Sequence, residues 1–165
     1  MVRHYATTPQ DALLWALISI LFASVLPFLL IFLLVRLGKV SGMHIAIREQ
    51  RGGPLLFLLG CALMGTLILH VIGAPKALVL LGVAYFVIGV VFTIVTLFWK
   101  ISFHSGVLAA SIVALTLIVS IKLLILMVLV PLLAWARMYR KRHTLLQNVV
   151  AVPLAMGITF IVFQF

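Results

Sequence analysis

Acidic side chains are almost missing from this sequence: Asp11 and Glu49 are the only two among 165 residues, against twelve Lys and Arg. Two carboxylates are too few to assemble a magnesium site, so phosphate chemistry would have to run on cationic side chains and histidine. Neither a metal nor another cofactor is therefore expected. Charge of either sign is scarce as well, at 8% of residues, while 66% are hydrophobic and the mean hydropathy is +1.40. A soluble domain keeps far more charge on its surface, so the composition is that of an integral membrane protein. Cysteine is reduced to Cys61, inside an apolar run, which excludes an intramolecular disulfide. A net charge of +10 on a soluble protein would suggest nucleic acid. In a membrane the anionic partners are lipid headgroups or a phosphorylated substrate, and no nucleic acid is expected.

What the chain does have is long apolar runs. A span needs about 20 such residues. The first run, 12–36, is too long for the hydrophobic part of a cleaved signal and reads as a span, with Asp11 as its N-terminal cap. The second runs from Pro54 to about Gly73, with His70 well inside it as a packed or cavity-facing histidine, and the third covers 77–99. Ser102 to Ala136 is apolar for about 35 residues, too long for one crossing. Lys122 near its middle divides it into helices over 103–120 and 122–138, with Pro131 kinking or offsetting the latter. The last span covers 147–165. The expected fold is all-α: one membrane-embedded domain over 1–165 with about six transmembrane helices, whose packing Gly60, Gly65, Gly82 and Gly89 would tighten. Trp99 and Trp135 fall where aromatic residues anchor spans at the interface, and a homo-oligomer is compatible with all of this.

Six crossings put both termini on one side. The opposite side carries Arg36, Lys39, Arg48, Arg51, Lys100, Arg137, Arg140, Lys141 and Arg142, whereas the terminal side carries Arg3, Lys76 and Lys122. The excess of positive charge assigns the first group to the cytoplasm, in what would be the cell membrane.

Three segments on that basic side hold nearly all of the polar chemistry. In "HIAIREQR" (His44 to Arg51), Arg48 and Arg51 stand three apart and would project together from a helical turn. In "KISFHSG" (Lys100 to Gly106), a cation, a hydroxyl, an imidazole and a glycine meet at a helix start, suited to holding an oxyanion. In "WARMYRKRHTLLQ" (Trp135 to Gln147), the basic run anchors a helix on anionic lipid, while His143 and Gln147 stand four apart. At that helical spacing the Gln147 amide oxygen would hold one imidazole nitrogen of His143 and leave the other unprotonated and nucleophilic. A nearby guanidinium would neutralise phosphate oxygens, and a second histidine would protonate a leaving group.

The order of these segments resembles the type 2 phosphatidic acid phosphatase family of six-helix membrane phosphatases. Ser102-x-His104 matches that family's second motif, and Arg137, five residues, His143, three residues and Gln147 matches its third. "REQRGGP" (Arg48 to Pro54) is a loose counterpart of the first. The resemblance implies His143 as nucleophile and His104 as acid and base, with Ser102, Arg137, Arg48 and Arg51 binding the phosphoryl group. Charge alone adds Lys100. The chain departs from the family pattern at Ile101 and Phe103, which stand for Pro and Gly, and at Gln147, which stands for Asp. His44 stands seven residues before Arg51, where the family has Lys. The expected function is hydrolysis of a lipid phosphate or diphosphate (an isoprenoid phosphate, phosphatidate or phosphatidylglycerol phosphate) through a phosphohistidine. Two alternatives stay open: a lipid phosphotransferase of the same fold, and a non-catalytic protein that binds anionic lipids.

Overall fold

The computed structural model describes residues 8–40, 42, 50 and 52–165. His44, Arg48 and Arg51 lie outside the described residues. Among the described residues the protein is 84% helical and has no strand, which makes it all-α. Among the described residues six helices follow in chain order: α1 (Pro9–Arg36), α2 (Gly52–Val71), α3 (Lys76–Phe98), α4 (Phe103–Ile118), α5 (Ile121–Tyr139) and α6 (Leu145–Val162). All but α4, which has 16 residues, are long and apolar enough to cross a bilayer. A bilayer offers the backbone no partner, so an apolar chain of this kind satisfies its peptide groups within helices.

The helix ends have local causes. Asp11 is not the cap of α1. Thr8 is: its hydroxyl accepts from the Asp11 N–H at 3.3 Å, and the Asp11 carboxylate accepts in return from the Thr8 N–H at 3.3 Å. Asp11 thus sits at the third helical position of a reciprocal capping box. Midway along α1 the backbone widens into a π turn over Leu21–Val25, just before Pro27, whose ring crowds the preceding turn and brings no N–H. The break between α4 and α5 falls at Ser120, which is fully extended (φ −165°) and accepts from the Lys122 N–H at 3.3 Å. The first part of α5, Ile121–Val128, is wound as a 3-10 helix and becomes α-helical from Leu129. Pro131 therefore falls in the first turn of the α-helical part, directly after the 3-10 segment. Since α2 ends at Val71, His70 belongs to its last turn and is exposed, not packed inside a span.

The chain divides into two compact units, Met1–Gly82 and Val83–Phe165. In the first, Cys61, Gly65, Thr66 and Leu69 form the buried stripe of α2. A Cβ on Gly65 would fall 2.7 Å from Cβ of Phe22, so glycine lets α2 lie against the π turn of α1. Gly82, at the start of α3, does the same for Thr66. Gly60 faces open space and serves no such approach.

In the second unit the core is a parallel pairing of α4 with α6. Their starts are tied by the Ser102 N–H, which donates to the Gln147 carbonyl at 3.4 Å. Further along, Gly106 lies against Ala151, and Ala109 and Ala110 are buried in the same clusters as Val152, Ala151 and Ala155. Small residues every fourth position (Ser102 just before α4, then Gly106 and Ala110 on it; Ala151, Ala155, Thr159 on α6) line this seam, and all are buried. In lipid no hydrophobic force drives helices together, and close approach of small residues is how they gain dispersion contacts. Phe92 of α3 closes the cluster, its ring edge-on to Phe103 at 5.2 Å. Tyr85 meets Ser111 through their hydroxyls at 2.7 Å, joining α3 to α4.

Candidate active site

The site builds up from the turn between α5 and α6. After Tyr139 the chain leaves α5 through a Schellman arrangement: the Lys141 N–H donates to the Met138 carbonyl at 2.8 Å and the Arg142 N–H to the Arg137 carbonyl at 3.0 Å. This requires a left-handed residue, usually glycine, and here it is Lys141 at φ +51°. The exposed side chains of Arg140, Lys141 and Arg142 follow the C-terminus of α5, the end of a helix that favours cations. The reversal also brings the His143 N–H back to the Arg137 carbonyl at 3.4 Å, so the two residues read from sequence as parts of one site are neighbours.

α6 then opens with a second capping box. Thr144 is extended (ψ 165°), and its hydroxyl accepts from the Gln147 N–H at 3.4 Å. The Gln147 side-chain oxygen accepts from the Thr144 N–H at 3.2 Å and lies 3.0 Å from Nδ1 of His143. A backbone N–H can only donate, so the amide atom it meets is the oxygen. That oxygen has no proton to give, so the proton of the short contact is on Nδ1. In the neutral ring Nε2 is then the unprotonated nitrogen, the form a nucleophilic imidazole needs.

Arg137 is half-buried, and its Nε is fully enclosed with no hydrogen-bond partner among the described residues. An enclosed guanidinium donor without an acceptor is costly. Lys100 is half-buried before α4, and His104 leaves the first turn of α4 on its exposed side.

Ser102 has a different place from the one expected of a phosphate ligand. It is fully buried, makes no side-chain cap on α4, and donates its hydroxyl proton to Oγ of Ser105 at 3.0 Å. Ser105 donates in turn to Oδ1 of Asn148 at 2.7 Å, and Asn148 Nδ2 donates to the Thr144 carbonyl at 2.8 Å. Gly106, expected in an oxyanion corner, instead serves packing: a Cβ there would fall 2.5 Å from the Phe92 ring and 3.2 Å from the Ala151 carbonyl oxygen.

The structure thus brings together Arg137, His143 and Gln147 at the start of α6, and ties that start to the Ser102–His104 segment. Thr144, Ser105 and Asn148 were not singled out in the sequence. The pattern Thr-x-x-Gln was a legible capping signal; Ser105 and Asn148 showed only as polar residues inside apolar runs. Among the described residues no three His, Cys, Asp or Glu side chains gather as a metal site. An open cleft of about 400 Å³ in the first unit, lined mainly by Leu30, Leu34, Val40, Pro54 and Phe57, involves none of the described site residues. No family model, no curated protein and no solved structure matches the chain.

Proposed function

We propose that this protein is a membrane phosphatase that removes phosphate from a lipid phosphate or diphosphate through a phosphohistidine on His143, without a metal. The observation that carries the reading is the double use of the Gln147 side-chain oxygen, which receives the Thr144 N–H at 3.2 Å and faces His143 Nδ1 at 3.0 Å. This hold orients the ring and leaves Nε2 with its lone pair. Nε2 attacks phosphorus and the bond from phosphorus to the lipid oxygen breaks, while His104, as the imidazolium, gives its proton to the departing oxygen. Water then attacks the phosphohistidine, His104 takes the proton of that water, and the bond from Nε2 to phosphorus breaks to release phosphate. Arg137, with Lys100, neutralises the non-bridging oxygens throughout. Arg48 and Arg51 join them by resemblance. The lipid tails stay in the bilayer, and the site faces the cytoplasm from the cell membrane.

The test is phosphate release by purified protein in detergent with EDTA present, over phosphatidate, phosphatidylglycerol phosphate and short and long isoprenyl mono- and diphosphates. Turnover that survives EDTA and is lost in His143→Ala supports the proposal. No release from any of these lipids by the wild type overturns it. Release that appears only with an acceptor lipid would instead indicate phosphoryl transfer.

A further inference from the structure

We propose that Asn148, through Ser105, is the positioning residue that holds the two helix starts of the site in register and keeps His143 in its Nδ1–H tautomer; this rests on the phosphohistidine reading. Asn148 is 1% exposed, next to a seam otherwise made of Ala151 and Ala155. A primary amide in such surroundings costs free energy unless every polar atom finds a partner, and alanine at this position would fit the same seam. Its hydrogen bonds run in two directions. Oδ1 accepts from Ser105 on α4 at 2.7 Å, and Nδ2 donates to the carbonyl of Thr144 at 2.8 Å.

Thr144 is the residue whose N–H and hydroxyl hold Gln147, and Gln147 is the residue that holds His143. Asn148 therefore fixes the Thr144 carbonyl from inside the seam while Gln147 fixes the Thr144 N–H from outside. Through Ser105 the same amide reaches Ser102, whose N–H donates to the Gln147 carbonyl and which stands two residues before His104. The circuit from Ser102 to Ser105, Asn148, Thr144 and Gln147 closes on itself. A shift at Asn148 would move both histidine-bearing helix starts, without Asn148 touching substrate.

The experiment compares wild type, Asn148→Ala, Ser105→Ala and Gln147→Ala as purified full-length protein in detergent. The imidazole nitrogen NMR shifts of His143 are read above its titration range, and kcat and KM are read on the best lipid phosphate of the panel. Expected for Asn148→Ala is a mixture of Nδ1–H and Nε2–H forms, with kcat down about tenfold or more and KM held within about twofold. Ser105→Ala keeps the bond from Asn148 to Thr144 and should move both readouts the same way by less. If Asn148→Ala does not fold, the decision passes to Ser105→Ala. Wild-type tautomer shifts in these variants, with Gln147→Ala altering them, would overturn the proposal. Should no lipid phosphate be turned over by the wild type, the phosphatase reading fails alone, and the tautomer comparison still decides the role of Asn148.

Discussion

At the scale of single residues, Gln147 does half of what a carboxylate would do beside His143. It holds the ring by hydrogen bond, at 3.0 Å, but offers no charge to an imidazolium. Gln147→Glu has nearly the same shape and adds that charge. A carboxylate favours protonated His143, so its pKa rises, and the neutral nucleophile becomes available only at higher pH. The acid limb of kcat/KM should move up by roughly one pH unit, read from the pH–rate profile. An unchanged limb would mean that His143 is not the titrating nucleophile. Arg137 tests the other partner. Arg137→Lys keeps a charge and loses the planar fork, so KM should rise about tenfold, and Arg137→Ala should lower kcat/KM by roughly a hundredfold or more. The pair from Gln147 to His143 was legible in the sequence because an i, i+4 contact depends only on local helix geometry. The tie from Ser102 to Gln147 was not, because it joins helices with α5 between them.

At the scale of helices, apolar length gave away nearly every span, including the division at Lys122, because a bilayer punishes any other pattern. It did not reveal which helices pair. Gly106, Ala109, Ala110, Ala151 and Ala155 read as apolar like their neighbours, and hydropathy does not distinguish a seam from a lipid face. The difference between glycines makes this measurable. Gly106→Ala forces a methyl against Phe92 and Ala151 and should destabilise by about 1–3 kcal/mol, lowering the unfolding temperature in detergent. Gly60→Ala meets nothing within 4 Å and should leave that temperature unchanged or slightly higher. The turn after α5 gives a change of opposite sign. Lys141 holds a left-handed backbone at φ +51°, so Lys141→Gly should stabilise by about 1 kcal/mol while leaving the hydrogen bonds of the turn in place.

At the scale of the molecule, the question is how many times the chain crosses. By length alone α4 covers only about 24 Å at 16 residues. Its start, however, is bonded to the start of α6, and α6 is long enough to span, so α4 begins at the same end of the membrane as α6 and runs the same way. α5 must return between them. Accessibility of introduced cysteines checks the layout, since Cys61 is the sole native thiol and is buried. In a Cys61→Ala background, Lys76→Cys should react with an impermeant thiol reagent from outside the cell, and Arg140→Cys only after permeabilisation. The reverse pattern would turn the site to the outside.

The parallel pairing of α4 and α6 also sets an order in time. α4 leaves the translocation machinery before its partner exists, carrying Ser102 and Ser105 on a side that will later be sealed. Until α5 has turned back and α6 has been made, the Ser105 hydroxyl lacks its Asn148 acceptor and the Ser102 N–H its Gln147 carbonyl. The seam is thus among the last parts of the second unit to close, and an early-ended chain lacking Leu145 onward would keep a polar edge at Ser102 and Ser105 with no partner helix to seal it.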